Sequence, residues 1–318
     1  MKRSFFKISV YAFMALSFSL TSCSDDENPA QPSITDIAAA NPEFSTLVTA
    51  LQITDLAETL DNSGSYTVFA PTNTAFDNFL EANNIPSIND VPVDVLRQVL
   101  LNHVLGSEEF SGDLATGYVS TLAVGSASST NKISMFIDVT STVKINGGLS
   151  NGGAVVTTAD IDAGNGVIHI VDGVIGLPTI VNHAVANPNF TSLVAALDQA
   201  SLVAPFTSTT STYTVFAPTN QAFSNLLSEL SLPGLADIPA ATLDAVLKYH
   251  VVANANVLSS SLTNNQSVTT FGGGNFTVQL PNTGPQILDA NNRVCKIIAT
   301  DVQASNGVIH VLDKVLLP

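Results

Sequence analysis

The eight residues Tyr-Thr-Val-Phe-Ala-Pro-Thr-Asn stand at Tyr66–Asn73 and again, unchanged, at Tyr213–Asn220, an offset of 147 positions. A block of strand and turn repeated so far apart restricts the fold strongly, because one structural unit must be built twice. Other pairs keep the register. Asn41-Pro-Glu-Phe44 recurs as Asn187-Pro-Asn-Phe190 at an offset of 146, and His103 recurs as His250 at 147. Asn165-Gly-Val-Ile-His169 recurs as Asn306-Gly-Val-Ile-His310 at 141, so about six residues are missing from the second unit between its two histidines. The period is too long for a solenoid and implies a tandem duplication of a whole domain, with the boundary after Pro178. At 318 residues the chain is long enough for two cores.

Within the first unit the hydrophobic period changes once. Ile37, Phe44, Leu47, Val48, Leu51, Leu56 and Leu60 recur at helical spacing, and Asn41-Pro42 interrupts them, which predicts two short helices. Tyr66–Ala70 alternates as a strand that Pro71 stops. Asn73 is the expected N-cap of a helix carrying Ala75, Phe76, Phe79 and Leu80. Pro92–Leu105 reads as a further helix with His103 on its apolar side. Beyond it the period is two, through Ile133–Val139, Val143–Ile145 and Val167–Val171. Helices in front and strands behind, inside one unit, indicate an α+β domain.

Those residues also resemble a known family. Tyr-Thr-Val-Phe-Ala-Pro-Thr-Asn-x-Ala-Phe is similar to the first signature block of the fasciclin domain, and Asn306–Pro318 to its closing block. Asn165–Pro178 is the first unit's copy of the latter. Tyr249-His250 resembles the family's central Tyr-His pair, where the first unit has Asn102-His103. The resemblance covers residues 34–178 and 179–318. It implies, for each unit, a β-sandwich or wedge of seven strands flanked by several helices, and a role in adhesion or binding outside the cell. The integrin adhesion linked to the Tyr-His region in animal members is not expected here, since Asn102 replaces the tyrosine in unit one.

The first thirty residues read as an export signal. Lys2, Arg3 and Lys7 precede an apolar run from Ile8 to Leu20, which is shorter than a membrane span. Leu20-Thr21-Ser22-Cys23 resembles a lipobox, making residues 1–22 a signal peptide and Cys23 the lipidation site; a plain signal peptide with an incidental cysteine is the alternative. Ser24, Asp25, Asp26 and Glu27 resemble the acidic export signal of surface lipoproteins in Bacteroidetes-type bacteria, and residues 23–33 read as an acidic, proline-bearing tether. The expected location is therefore the outer membrane, facing outward, with a periplasm-facing protein as the alternative. Loss of residues 1–22 would leave 7 basic and 26 acidic residues, a net charge of 7 − 26 = −19. That balance argues against nucleic acid, and leaves the lipid as the expected attachment to the membrane.

Little in the sequence points to chemistry. Strand alternation sets His169 and His310 between apolar neighbours on one face, where a half-buried ring bonded to backbone is expected. His103 and His250 should turn inward with one nitrogen bonded to a backbone group. Asp172 and Asp313 follow three residues later on the opposite face, so no metal-ligand cluster and no cofactor site is expected. No nucleophile elbow or phosphate loop occurs. Gly272-Gly273-Gly274 reads as a hairpin turn. Cys295, in a strand-like stretch, reads as a buried and inert thiol. The partner expected is a protein or glycan at the cell surface. Two other readings stay open: a carbohydrate-binding accessory of a polysaccharide-uptake system, needing an exposed aromatic platform in a chain with five tyrosines and no tryptophan, and a hydrolase in which His250 meets a carboxylate.

Overall fold

Domain 1 opens with three short helices, α1 (Ile34–Ala40), α2 (Ser45–Ile53) and α3 (Ala57–Asp61), then β1 (Tyr66–Pro71), α4 (Asn73–Ala82), α5 (Val93–Leu101), β2 (Val104–Leu105), β3 (Gly117–Gly125), β4 (Ser128–Asp138), β5 (Lys144–Ile145), β6 (Ala154–Ala163) and β7 (Gly166–Val171). Domain 2 repeats the order as α6 (Ile180–Ala186), α7 (Thr191–Gln199), α8 (Val203–Thr207), β8 (Tyr213–Pro218), α9 (Asn220–Glu229), α10 (Ala240–Tyr249), β9 (Val251–Ala253), β10 (Ser267–Thr269), β11 (Asn275–Gln279), β12 (Gln286–Leu288), β13 (Val294–Ala304) and β14 (Gly307–Leu312). The computed structural model describes residues 31–62 and 64–318. Cys23, Ser24, Asp25, Asp26, Glu27 and the signal segment lie outside the described residues.

Each domain has seven strands beside its helices, as the resemblance implies. In domain 1 they close into a ring, β1 to β7 in order. In domain 2 the same ring stays open between β9 and β10. The two signature blocks, distant in sequence, are neighbours in space. β1 runs parallel to β7 from Tyr66 opposite Gly166 to Pro71 opposite Val171, and β8 pairs with β14 in the same way. Strand alternation then serves two cores. In domain 1, Val68, Ala70 and Ile168 face the helical layer with Phe44, Leu51 and Phe76, while Phe69 and Val171 face the ring interior with Leu105, Met135 and Ile137. Domain 2 divides likewise. Phe44, Phe69, Phe76, Phe190, Phe216, Phe223 and Phe276 are all fully buried, each contributing about 1.5–3 kcal/mol of transfer free energy.

Several local expectations change. The first helical run is three helices, because a 3-10 turn at Pro42–Phe44 separates α1 from α2 and a second break precedes Ala57. The cap of α4 is Thr72, whose Oγ accepts from the Ala75 N–H at 3.3 Å; Asn73 instead accepts from the Thr46 N–H at 2.9 Å and donates to the Pro42 carbonyl at 2.9 Å. Helix α5 ends at Leu101, so His103 lies in the turn beyond it and Val104–Leu105 is a strand. The glycine stretch 272–274 joins the antiparallel strands β10 and β11.

The hairpin β3–β4 reaches past its own domain and lies against β13. The Ala127 N–H donates to the Ser305 carbonyl at 2.9 Å, and the Ser305 N–H donates to the Pro178 carbonyl at 2.8 Å. Ser126 Oγ donates to the same Ser305 carbonyl at 3.0 Å, and Ser134 Oγ accepts from the Gln303 N–H at 3.0 Å. Asn151 and Asn182 exchange side-chain bonds across the junction. Residues 32–318 thus form one compact unit.

Candidate functional site

The repeated polar residues come first, since they are the sequence's most conspicuous candidates. Asn165 accepts from the Ile34 N–H at 2.9 Å and donates to the Leu60 carbonyl at 2.6 Å, tying the first strand-turn of β7 to α1 and α3. Asn306 makes the same bonds to Ile180 and Phe206, both at 2.9 Å. Thr67 Oγ donates to the Ser107 carbonyl and accepts from the Glu109 N–H, each at 2.8 Å. Thr214 does likewise with Ala255 and Val257. The block is therefore repeated because each polar side chain closes backbone groups far away in sequence, which would otherwise be buried unpaired.

The histidines follow the same logic. The Ile175 N–H donates to His103 Nε2 at 2.8 Å, which leaves the proton on Nδ1, and Nδ1–H donates to the Val99 carbonyl at 2.7 Å. His250 is held identically by Leu316 and Val246, at 2.8 and 2.7 Å. Each ring staples the end of a helix to the chain leaving the last strand. Burial lowers the pKa of both to about 4, against a smaller opposing effect of the Val99 and Val246 carbonyls. His169 and His310 are fully buried, where the sequence predicts half-burial, because each stacks on the phenylalanine of the neighbouring strand, His169 on Phe69 at 5.5 Å and His310 on Phe216 at 5.3 Å. His169 Nδ1 accepts from the Asp160 N–H at 3.2 Å and Nε2–H donates to the Glu109 carbonyl at 2.9 Å. His310 makes the corresponding bonds to Asp301 and Val257. Both ring nitrogens of His103, His169, His250 and His310 are engaged by backbone, so none of these four is free to move a substrate proton. This removes the hydrolase reading built on His250.

Asn102 of domain 1 stands where domain 2 has Tyr249. Tyr249 fills the open ring of domain 2, its hydroxyl donating to the Asn275 carbonyl at 2.6 Å and accepting from the Ala290 N–H at 3.1 Å. It is 1% exposed, so it offers nothing to a partner. Asn102 donates to the Gly176 carbonyl at 2.9 Å, and its Oδ1 is buried without a partner among the described residues. Cys295 is fully buried, and desolvation pushes its thiol up to about 12. Asp172 and Asp313 accept from the Val155 and Lys296 N–H groups, both at 2.7 Å. Among the described residues no three His, Cys, Asp or Glu side chains gather where a metal could sit, and no helix is long and apolar enough to cross a membrane.

Besides a groove of about 260 Å³ in domain 2 lined by Ser192, Asn220 and Leu235, two open concavities bear on the comparison of the domains. One, of about 430 Å³, lies in domain 1 between α4 and a glycine-lined loop, with Phe79, Leu149, Gly152 and Gly173 on its walls. Its counterpart in domain 2 is crossed by an ion pair, Arg293 Nη2 to Glu229 Oε2 at 2.8 Å; Arg293 stands two residues before Cys295 as Gly152 stands two before Ala154. The other, of about 290 Å³, lies at the junction of the domains and includes Tyr118 and Phe136 from domain 1 and Asn187, Asn189, Thr219 and Ile298 from domain 2. Asn187, Asn189 and Thr219 fall within the repeated blocks, but sequence reading assigns none of the six to a ligand. The signal that bears on them is the extra length between the histidines of unit one, which is spent on β3 and β4.

Comparison with known proteins fits this architecture. The Fasciclin domain family model matches residues 42–178 and 188–318. Protein sll1483 of Synechocystis is 39% identical over 144 residues, covering 45% of this chain and 72% of that protein. Human periostin is 28% identical over 270 residues; the match covers 83% of this chain but 29% of periostin, a much longer protein. Among solved structures, a domain pair from the insect cell adhesion molecule fasciclin I superposes with a TM-score of 0.52 at 17% identity, covering 86% of this chain and 97% of that one. The chain belongs to the fasciclin domain family and carries two tandem copies of the domain.

Proposed function

We propose that this protein is a lipid-anchored adhesion protein of the outer membrane, facing outward, which binds a protein or glycan partner in the envelope, the matrix or a biofilm. The observation that carries this reading is the division of labour within each domain. Most motif residues shared by both copies are consumed in internal backbone bonds, while the copies differ in surface residues such as Glu43 against Asn189 and in the hairpin that builds the junction, where partners are met. Kinship with a domain pair from a cell adhesion molecule supports it. So does the strongly acidic sequence, which disfavours nucleic acid. The reading is of a non-catalytic protein.

The neutral, aromatic-edged junction cleft favours a second reading, a carbohydrate-binding accessory of polysaccharide uptake. Protease shaving of intact cells, with lipid labelling of Cys23, tests the location. A labelled and shaved protein supports outward anchoring; a labelled but protected one makes it a periplasm-facing component. Binding to immobilised matrix polysaccharides and envelope proteins tests the adhesion role, and failure with both classes would sink it.

A further inference from the structure

We propose that the cleft at the domain junction is a binding site for a neutral sugar ring within a glycan chain, which deepens the binding role above and rests on it.

The position suits a ligand, since pockets concentrate where domains meet. The chemistry narrows the class. No Lys, Arg, Asp or Glu side chain lines the cleft. The rings of Tyr118 and Phe136, edge to face at 5.0 Å, give one apolar wall, and Ile298, 56% exposed, gives an apolar rim opposite. Amides of Asn187 and Asn189 and the hydroxyl of Thr219 supply polar groups between them. A neutral pyranose presents the matching pattern, an apolar C–H face bordered by hydroxyls. The net charge of −16 works against a polyanionic glycan.

Thr219 Oγ and Asn187 Oδ1 already accept from the Ala222 and Asn189 N–H groups, but other polar groups of the cleft have capacity to spare. Among the described residues Asn187 Nδ2 has one bond, to the Tyr118 hydroxyl, and at 3.4 Å it is long. The Tyr118 hydroxyl reaches the His183 carbonyl at the same weak distance. A ligand hydroxyl can replace either bond at little loss.

Comparison of the copies points the same way. The face of domain 2 that walls the cleft corresponds to a face of domain 1 where Glu43 stands for Asn189 and Thr157 for Ile298. The positions facing the cleft have lost a charge and gained an apolar side chain.

The test titrates the mature full-length chain with neutral hexasaccharides of glucose, mannose and xylose, with a hexauronate and with an unrelated acidic peptide. Calorimetry gives affinity, and the Tyr118 and Phe136 ring signals are followed by NMR. Asn189→Glu and Ile298→Thr restore the residues that domain 1 tolerates at the same places, so the fold should hold. Leu230→Thr, at an exposed apolar residue outside the cleft, is the control. The expected result is that a neutral hexasaccharide binds and shifts both rings, that Asn189→Glu weakens it by about tenfold, and that the control does not. Equal binding by Asn189→Glu and the unsubstituted chain overturns the proposal while leaving the adhesion role standing. Binding of the uronate or the peptide in place of the neutral sugars, or of nothing in the panel, overturns it too. The adhesion role itself falls only if intact cells and immobilised matrix also show no binding.

Discussion

The β3–β4 hairpin of domain 1 and the β10–β11 hairpin of domain 2 occupy the same place in two copies of one fold, yet they do different things. The first has strands of nine and eleven residues, closes its ring through Leu105 opposite Thr121, and reaches across to β13. The second has strands of three and five residues, leaves its ring open, and is backed by Tyr249. The length that distinguishes them is the length that builds the junction. In a duplicated protein, then, what the copies share specifies the domain, and what they do not share specifies how the domains are joined and what they can meet.

The largest effect should come from the residue that fills the open ring. Tyr249→Ala is expected to cost about 3–5 kcal/mol in denaturant unfolding, as a large cavity opens and the Ala290 N–H loses its partner. Asn102→Ala at the matching position is expected to cost only about 1 kcal/mol. Equal losses would break the claim that the two rings are filled differently.

Next is acid. His103, His183 and His250 are buried with pKa values lowered to about 4 from 6.5, burial being the main cause in each. Below 6.5 the unfolded chain takes up these protons before the folded one does. Stability is therefore whole above that pH and falls as pH drops towards 4, by about 3 kcal/mol for each histidine at the end of the window. His183, on α6 against Tyr118 at the junction, has no well-formed bond at either ring nitrogen among the described residues, though the Gln303 backbone approaches it. His183→Leu should flatten the slope without the loss at neutral pH that His103→Leu or His250→Leu would bring. A slope unchanged in His183→Leu would count against this.

A smaller effect tests the junction. A side chain at Gly125 would place its Cβ 2.5 Å from Ser305 Cα, against backbone that cannot turn aside. Gly125→Val should cost about 1–3 kcal/mol and split one calorimetric transition into two. A single transition would mean that the hairpin does not couple the domains. The smallest change is Glu229→Ala, which breaks an exposed pair with Arg293 and should cost no more than about 1 kcal/mol, while opening in domain 2 a groove like that beside α4.

The domain itself is legible in sequence because its determinants are local and repeated: alternation through Tyr66–Ala70, the helical spacing before it, and the Asn-Gly-Val-Ile-His block. Errors arise where a side chain's partner is remote. Asn73 looks like a cap, yet its donor and acceptor partners are the Thr46 N–H and the Pro42 carbonyl. The helix through His103 ends early because that ring is needed by Ile175, 72 residues on. The junction is hidden for a further reason. Its bonds at Ala127, Ser305 and Pro178 are made by main chain, which any sequence carries. Tyr118 and Asn187 look like ordinary strand and turn residues until the domains are set side by side.

The parallel pairing of β1 with β7 has a mechanical consequence. The chain enters β1 at the Tyr66 end and leaves β7 at the Val171 end, which are opposite ends of the pair. Tension drawn along the chain therefore loads that pair lengthwise. Its hydrogen bonds must slide together and cannot open one at a time, and domain 2 repeats the arrangement between Tyr213 and Leu312. A domain built this way meets tension along its own chain as shear across one strand pair.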